Sequence, residues 1–409
     1  VRGEAPFSEG VYSLVYQPCI TGVNSTRRFY ATLGNIWIEN IWKGKTMQTM
    51  TVADHIARLK PYVPGKPIEE VQRELGLTDV IKLASNENPL GPSPRALEAL
   101  AAAAAGIALY PEGSAPALRR AVALAQDMPE DTLVFGNGSD EVLHLLATTF
   151  LEPGDEIIQG DPSFAMYEIY AAQCNCVPVK VPLKDYTHDL DAMADAVTDK
   201  TRIIFVANPN NPTGTLVRQS EVERFLDRVP ERVLVVFDEA YSEYVTDPEQ
   251  PDLRPFVRAG RNIVILHTFS KAYGLAGLRV GYGITRPEIA EVLNRVRSPF
   301  NVNLAAQAAA AAGLTDTEHV KRTVALNTEG LRYFYSEFEK MGLDYVPGAG
   351  NFVLVDTNRD SREVFEQLQQ KGVIVRAAHG MGLPRHIRVT TGTMPQNQRF
   401  IAALQEVLA

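Results

Sequence analysis

Several features that would fix the class of this chain are missing from it. No apolar run reaches the ~18–20 residues needed to span a membrane, so no membrane partner is expected. Basic residues are not in excess: 40 Lys and Arg stand against 49 Asp and Glu, a net charge of −9, which argues against a nucleic-acid partner. Only three cysteines occur among 409 residues, at Cys19, Cys174 and Cys176. That is too few, and too badly spaced, for a disulfide framework or a zinc cluster, so no metal is expected and a reducing cytoplasm fits. Cys174 and Cys176 would share a face of a strand as packing residues. Neither GxGxxG nor GxxxxGK[ST] is present, which removes the nucleotide-binding signatures. No heptads and no repeat of 20–50 residues occur either.

What remains is the composition of a folded enzyme-sized protein, 45% hydrophobic and 22% charged. The first 49 residues stand apart, with no sustained period, no targeting pattern and no methionine before Met47 and Met50. We expect 1–49 to lie outside the fold, either as a real extension or, the reading that composition favours, as the product of a start assigned too far upstream. From Ile81, short apolar runs alternate with helical patterns. TLVF (132–135), EIIQG (156–160), RIIFVA (202–207), VLVVFD (233–238) and NIVIL (262–266) read as strands. SDEVLHLLATTFL, the stretch near Met166 to Gln173, and QSEVERFLDRV read as the helices between them. This alternation predicts an α/β fold with a mostly parallel, doubly wound sheet. After Arg295 a long helical stretch (304–341) precedes NFVLVD, GVIVR and HIRVT, the strands of a smaller α+β domain. The expected divisions are 50–95, an arm with part of the small domain; 96–295, the large domain; and 296–409, the small domain.

Polar residues cluster where these strands end. HTFSKAYGLAGLRVGYG follows NIVIL and sets Lys271 among small and apolar neighbours, just past the carboxyl end of a strand, where open parallel sheets bind ligands. A lysine there becomes a nucleophile toward carbonyls once burial or nearby cations lower its pKa. Arg279 is a permanent cation suited to a forked contact with phosphate. GNGSDE follows TLVF. It reads either as an anion cradle at a helix N-terminus or as an ordinary cap by Ser139 or Asp140. NPNNPTG (208–214) holds an asparagine amide in a proline-fixed loop, and Asp238 closes an apolar run, where a carboxylate needs a cation or donors. A nucleophilic lysine, a buried carboxylate, an amide, a phosphate cradle and an arginine together are what pyridoxal phosphate requires.

From about Thr51 to the C-terminus the chain resembles the fold-type I aminotransferases, and TFSKAYGLAG fits the lysine signature of their class II branch. LASNENPLGPSP, ALYPEG, NPNNPTG, FDEAY, GNFVLVD and IRVTTGT resemble motifs of histidinol-phosphate aminotransferases. The resemblance implies that Lys271 bonds the cofactor aldehyde, that Asp238 keeps its ring nitrogen protonated, and that Asn211 and Tyr241 hydrogen-bond its phenolic oxygen. Ser139, Asp140, Ser270 and Arg279 would bind its phosphate, and Phe164 would stack on its ring, where many relatives have tyrosine. Tyr110 would reach the phosphate of a neighbouring subunit, which implies a homodimer. Arg388 would take the substrate α-carboxylate, with Arg376 and Tyr62 near the substrate phosphate. The implied reaction is amino transfer between histidinol phosphate and 2-oxoglutarate in histidine biosynthesis.

Alternatives on the same motif set are an aromatic or broad-specificity aminotransferase and a threonine-phosphate decarboxylase. A transcription regulator with an aminotransferase-like body would need a DNA-binding module, and 1–49 shows neither helix-turn-helix patterning nor a strong basic excess. A dinucleotide oxidoreductase lacks its fingerprint.

Overall fold

The computed structural model describes residues 52–409 except 60, 63 and 64; the expected extension 1–49, Cys19 included, lies outside the described residues. Along the chain the strands are β1 (Ile81–Lys82), β2 (Leu133–Gly136), β3 (Glu156–Asp161), β4 (Val177–Pro182), β5 (Thr201–Ala207) and β6 (Leu234–Asp238). They continue as β7 (Ile263–Thr268), β8 (Gly281–Thr285), β9 (Tyr345–Val346), β10 (Phe352–Asp356), β11 (Val373–Ile374), β12 (Arg376–Ala377) and β13 (His386–Thr390). Seven form one sheet in the order β2-β8-β7-β6-β5-β3-β4, parallel throughout except for β8, which runs antiparallel to both neighbours.

All five strands expected from the sequence lie in this sheet, their ends shifted by a residue or two. They are continuous apolar runs because helices cover both faces. On β5, Ile203 and Phe205 enter one core while Ile204 and Val206 enter the other. Two strands of the sheet were not expected. β4 carries Pro178 and Pro182, and it lies at the sheet edge, where a missing N–H breaks no ladder. β8 is GYGIT, whose glycines carry no strand propensity. Gly281 is required there because a Cβ would come within 2.3 Å of Ser139 N.

The long helical stretch is two helices, Leu304–Leu314 and Thr317–Met341, with Asp316 capping the second through the His319 N–H. The first packs its alanines into a core of the large sheet. A second sheet runs β12-β13-β10-β9, and β1 pairs with β11 in parallel. GVIVR is therefore divided, Val373–Ile374 going to one sheet and Arg376–Ala377 to the other. Cys174 and Cys176 precede β4 instead of lying within it, because Asn175 adopts φ +56° between helix and strand; Cys176 is buried and Cys174 partly so. None of the described helices is long and apolar enough to cross a membrane.

Candidate active site

A cavity of about 340 Å³ opens beside the carboxyl ends of β5, β6 and β7 and the start of helix α1 (Ser139–Phe150), which follows β2. Tyr62, Ser139, Asp140, Phe164, Asn211 and Asp238 line it, as do Tyr241, Ser270, Lys271, Arg279, Arg376 and Arg388. Tyr110 alone of the expected residues does not. Its ring is 83% exposed and stacks on Phe300 at 4.7 Å.

Lys271 Nζ donates to Ser85 O at 2.9 Å and lies 5.7 Å from the centre of the Tyr241 ring. Burial, with the nearby Arg388 guanidinium second, lowers its pKa from 10.5 to about 8. A larger share of neutral amine is thereby available near neutral pH.

Asp238, only 7% exposed, ends β6. Oδ2 accepts from the Tyr167 hydroxyl at 2.8 Å and Oδ1 from the Ala240 N–H at 3.2 Å. Burial raises its pKa from 3.8 to about 6, against the pull of those donors. Among the described residues no ion pair reaches it.

Helix α1 is capped by Gly138 at φ +79°, and neither Ser139 nor Asp140 supplies a side-chain cap. The capping reading of these two residues is thus overturned, since both already lie in the first helical turn. A Cβ on Gly138 would stand 2.3 Å from Arg279 Nη2, so the bare backbone lets the guanidinium close over the helix start. Arg279 is itself left-handed at φ +56° and donates from Nη1 to Ser270 Oγ at 3.3 Å. First-turn N–H groups with the positive end of a helix dipole, a hydroxyl and a guanidinium form an anion cradle.

The opposite wall is cationic. Arg388 is buried, its Nη1 donating to Asn211 Oδ1 and its Nη2 to Ala84 O at 2.7 Å. This fixes the Asn211 amide, because its oxygen is committed to Arg388 and its NH₂ is left as the group for a ligand. Arg376 stands directly opposite Arg388 across the β12–β13 pair, with its guanidinium 5.9 Å from the centre of the Tyr62 ring.

Three residues at this site were assigned no role from the sequence. Asn86, at φ +55°, donates from Nδ2 to the Tyr241 hydroxyl at 2.9 Å, which turns the Tyr241 proton to other partners. Ser85 holds Lys271, and Tyr167 holds Asp238. Each sits inside a recognisable motif, SNEN or DPSFAMY. A motif marks the segment and does not say which side chain meets which.

The family of class I and II aminotransferases matches residues 78–404. A histidinol-phosphate aminotransferase of Moorella thermoacetica is 57% identical over 355 residues, 87% of this chain and 92% of that protein. The chain belongs to the histidinol-phosphate aminotransferase family. A relative of the same name from Akkermansia muciniphila is 51% identical, covering 87% of this chain and 98% of its own length. Among solved structures, the histidinol-phosphate aminotransferase of Sinorhizobium meliloti in complex with pyridoxal-5'-phosphate aligns at a TM-score of 0.82 and 28% identity, over 89% of this chain and 99% of that one.

Aminotransferases of this family work with pyridoxal phosphate, and the residues of this aminotransferase fit that group. Asp238 is a buried carboxylate with no ion pair among the described residues, which suits a protonated ring nitrogen. The cradle at Gly138 suits a phosphate, and Lys271 is an amine of lowered basicity lining the same cavity.

Proposed function

We propose that this aminotransferase moves the amino group of histidinol phosphate to 2-oxoglutarate, in the cytoplasm and as a step of histidine formation. The observation that carries the reading is the pair Arg376 and Arg388, set opposite each other on antiparallel strands and lining the same cavity. Like charges in that arrangement repel, and Arg376 is among the groups that lower the Arg388 pKa, after burial. An anion bound between them would be attracted to both guanidiniums. Arg388 Nε is buried without a hydrogen-bond partner, a donor left for such an anion. Arginine forks match carboxylate and phosphate alike, so one pair serves both glutamate and a phosphate ester.

When bound, pyridoxal phosphate supplies an aldehyde that exchanges amines and a protonated ring that draws electrons from the substrate α-carbon. Ser139, Asp140, Ser270 and Arg279 would grip its phosphate, and Phe164 would lie against its ring. Asp238 would hold the proton on the ring nitrogen, while the Asn211 amide and the Tyr241 hydroxyl would donate to the phenolic oxygen. Arg388 orients the substrate carboxylate, with Arg376 and Tyr62 toward the phosphate. With the cofactor bound, Lys271 Nζ would accept the proton leaving the substrate α-carbon and hand it on, acting as base and then as acid. An amine of pKa about 8 suits both duties near neutral pH.

We also read the protein as a homodimer. Ile107, Leu109 and Tyr110 are 71%, 76% and 83% exposed, an apolar run that a second copy would cover while Tyr110 reached its cofactor phosphate.

The test is a panel of amino donors with 2-oxoglutarate. Histidinol phosphate is expected to exceed phenylalanine and tyrosine by ~10²-fold in kcat/KM, because an analogue lacking the phosphate leaves the buried Arg388 guanidinium and the facing Arg376 without their anion. Arg376→Ala should remove most of that margin and spare the glutamate half-reaction. Comparable rates with phenylalanine would make this an aromatic aminotransferase; carbon dioxide release from threonine phosphate, without amino transfer, would make it a lyase.

A further inference from the structure

Helix α2 (Met166–Gln173) runs along the face of the large sheet that also carries Phe205 and Val236. Tyr167 is fully buried there. Its ring lies flat on Phe205, centroids 4.6 Å apart and planes within 1°, and meets Phe164 edge-on at 5.5 Å. Those contacts need only an aromatic ring, and phenylalanine would serve them. The hydroxyl therefore calls for its own explanation, since a buried phenol costs free energy unless paired.

Its partner is Asp238 Oδ2, at 2.8 Å. With the Ala240 N–H on Oδ1, both oxygens are held and the carboxylate cannot turn about its Cβ–Cγ bond without losing a donor. The donor's direction is fixed as well, because the Tyr167 phenol resists ionisation far more than a free tyrosine, through burial and the adjacent carboxylate. Of the influences that favour the charged form of Asp238, the Tyr167 hydrogen bond is the largest, ahead of Ala240 and of Lys271.

We propose that Tyr167 is a positioning residue: its hydroxyl orients the Asp238 carboxylate toward the cofactor's ring nitrogen and holds its negative charge. The proposal rests on the reading that Asp238 faces that nitrogen. The other ionisable groups facing Asp238 are Asp140 from α1, Lys271 from the loop after β7, and Glu239 and Tyr241 beyond the end of β6. Tyr167→Phe leaves all of them in place.

The experiment compares wild type, Tyr167→Phe, Asp238→Ala and the double variant, measuring the pyridoxal phosphate dissociation constant from pH 5.5 to 9. Magnetic resonance of isotope-labelled ring nitrogen reports its protonation in the bound state. Tyr167→Phe should weaken cofactor binding by ~10-fold at neutral pH, the scale of one charge-assisted hydrogen bond. It should also shift the acid limb of cofactor binding upward by about one pH unit. In the Asp238→Ala background the same change should alter the dissociation constant by less than about 2-fold, since a residue acting through another loses its effect when that partner is gone. An unchanged nitrogen signal and pH profile in Tyr167→Phe, with only a lower melting temperature, would overturn the proposal and leave Tyr167 a packing residue. Equal effects in both backgrounds would overturn it too. An unprotonated ring nitrogen in the wild type would overturn the reading of Asp238 itself, and the proposal with it.

Discussion

Lys271 and Asp238 make the cofactor-free protein less stable at neutral pH than its packing would allow. The Lys271 pKa falls from 10.5 to about 8, so its contribution to stability is complete above 10.5 and is lost as pH falls through 8. Asp238 is the reverse case, with pKa raised from 3.8 to about 6. Its contribution is complete below 3.8 and is lost as pH rises through 6. Between pH 6 and 8 both groups are charged and both penalties stand. For Lys271, a shift from 10.5 to about 8 amounts to about 3 kcal/mol at pH 7 and about half that at pH 9.5. Lys271→Met removes this penalty but loses the hydrogen bond to Ser85 O, worth about 1 kcal/mol. The expected outcome is a cofactor-free variant more stable than wild type by about 2 kcal/mol at pH 7, with the gain nearly gone by pH 9.5. Urea denaturation of cofactor-stripped protein at the two pH values measures it. Competitive acetylation of Lys271, read by mass spectrometry, should independently show a midpoint near 8. A variant less stable than wild type at pH 7, or a gain that does not depend on pH, would refute the reasoning.

Asp238→Asn removes the charge from the buried carboxylate and should lower kcat by ~10²-fold or more in steady-state transamination, while a loss of only a few-fold would make Asp238 structural. Gly138→Ala sets a Cβ 2.3 Å from Arg279 Nη2 at a backbone φ of +79°, so Arg279 must leave the cradle. Cofactor affinity, followed by absorbance titration, should fall by ~10-fold or more with the apolar cores untouched. An unchanged dissociation constant would remove Arg279 from the phosphate site.

The parallel sheet was legible because its strands are buried on both faces and so read as unbroken apolar runs, RIIFVA and VLVVF most plainly. The chemistry was legible where one residue type is costly in its setting: Asp238 closing such a run, and Lys271 among alanine and glycines. β8 was not, because Gly281 and Gly283 erase the β-branched signal. Its glycines answer to α1, a neighbour in space and not in sequence. The cap at Gly138 was hidden by a better capping residue beside it, Ser139, which the structure uses as the first helical residue instead. Tyr167 lies 71 residues from Asp238, and Asn86 lies 155 from Tyr241. No local pattern encodes a hydrogen bond over such a span; it arises from where the sheet order brings the strand ends.

These long-range contacts share a direction of cause. Arg388 commits the oxygen of Asn211, Asn86 commits one lone pair of the Tyr241 hydroxyl, and Tyr167 commits one oxygen of Asp238. Each supporting contact removes one of the ways its partner could turn, so a ligand would meet groups with one donor or acceptor already committed to the protein. Fixing a side chain beforehand lowers the entropy that binding must otherwise supply. The charges obey an opposite logic. A carboxylate without a cation, an amine of suppressed basicity and two opposed guanidiniums are each unfavourable alone. The fold can carry these unfavourable groups because its cores are otherwise consistent, and in the proposed reading the cofactor answers the first two and the substrate anion the third.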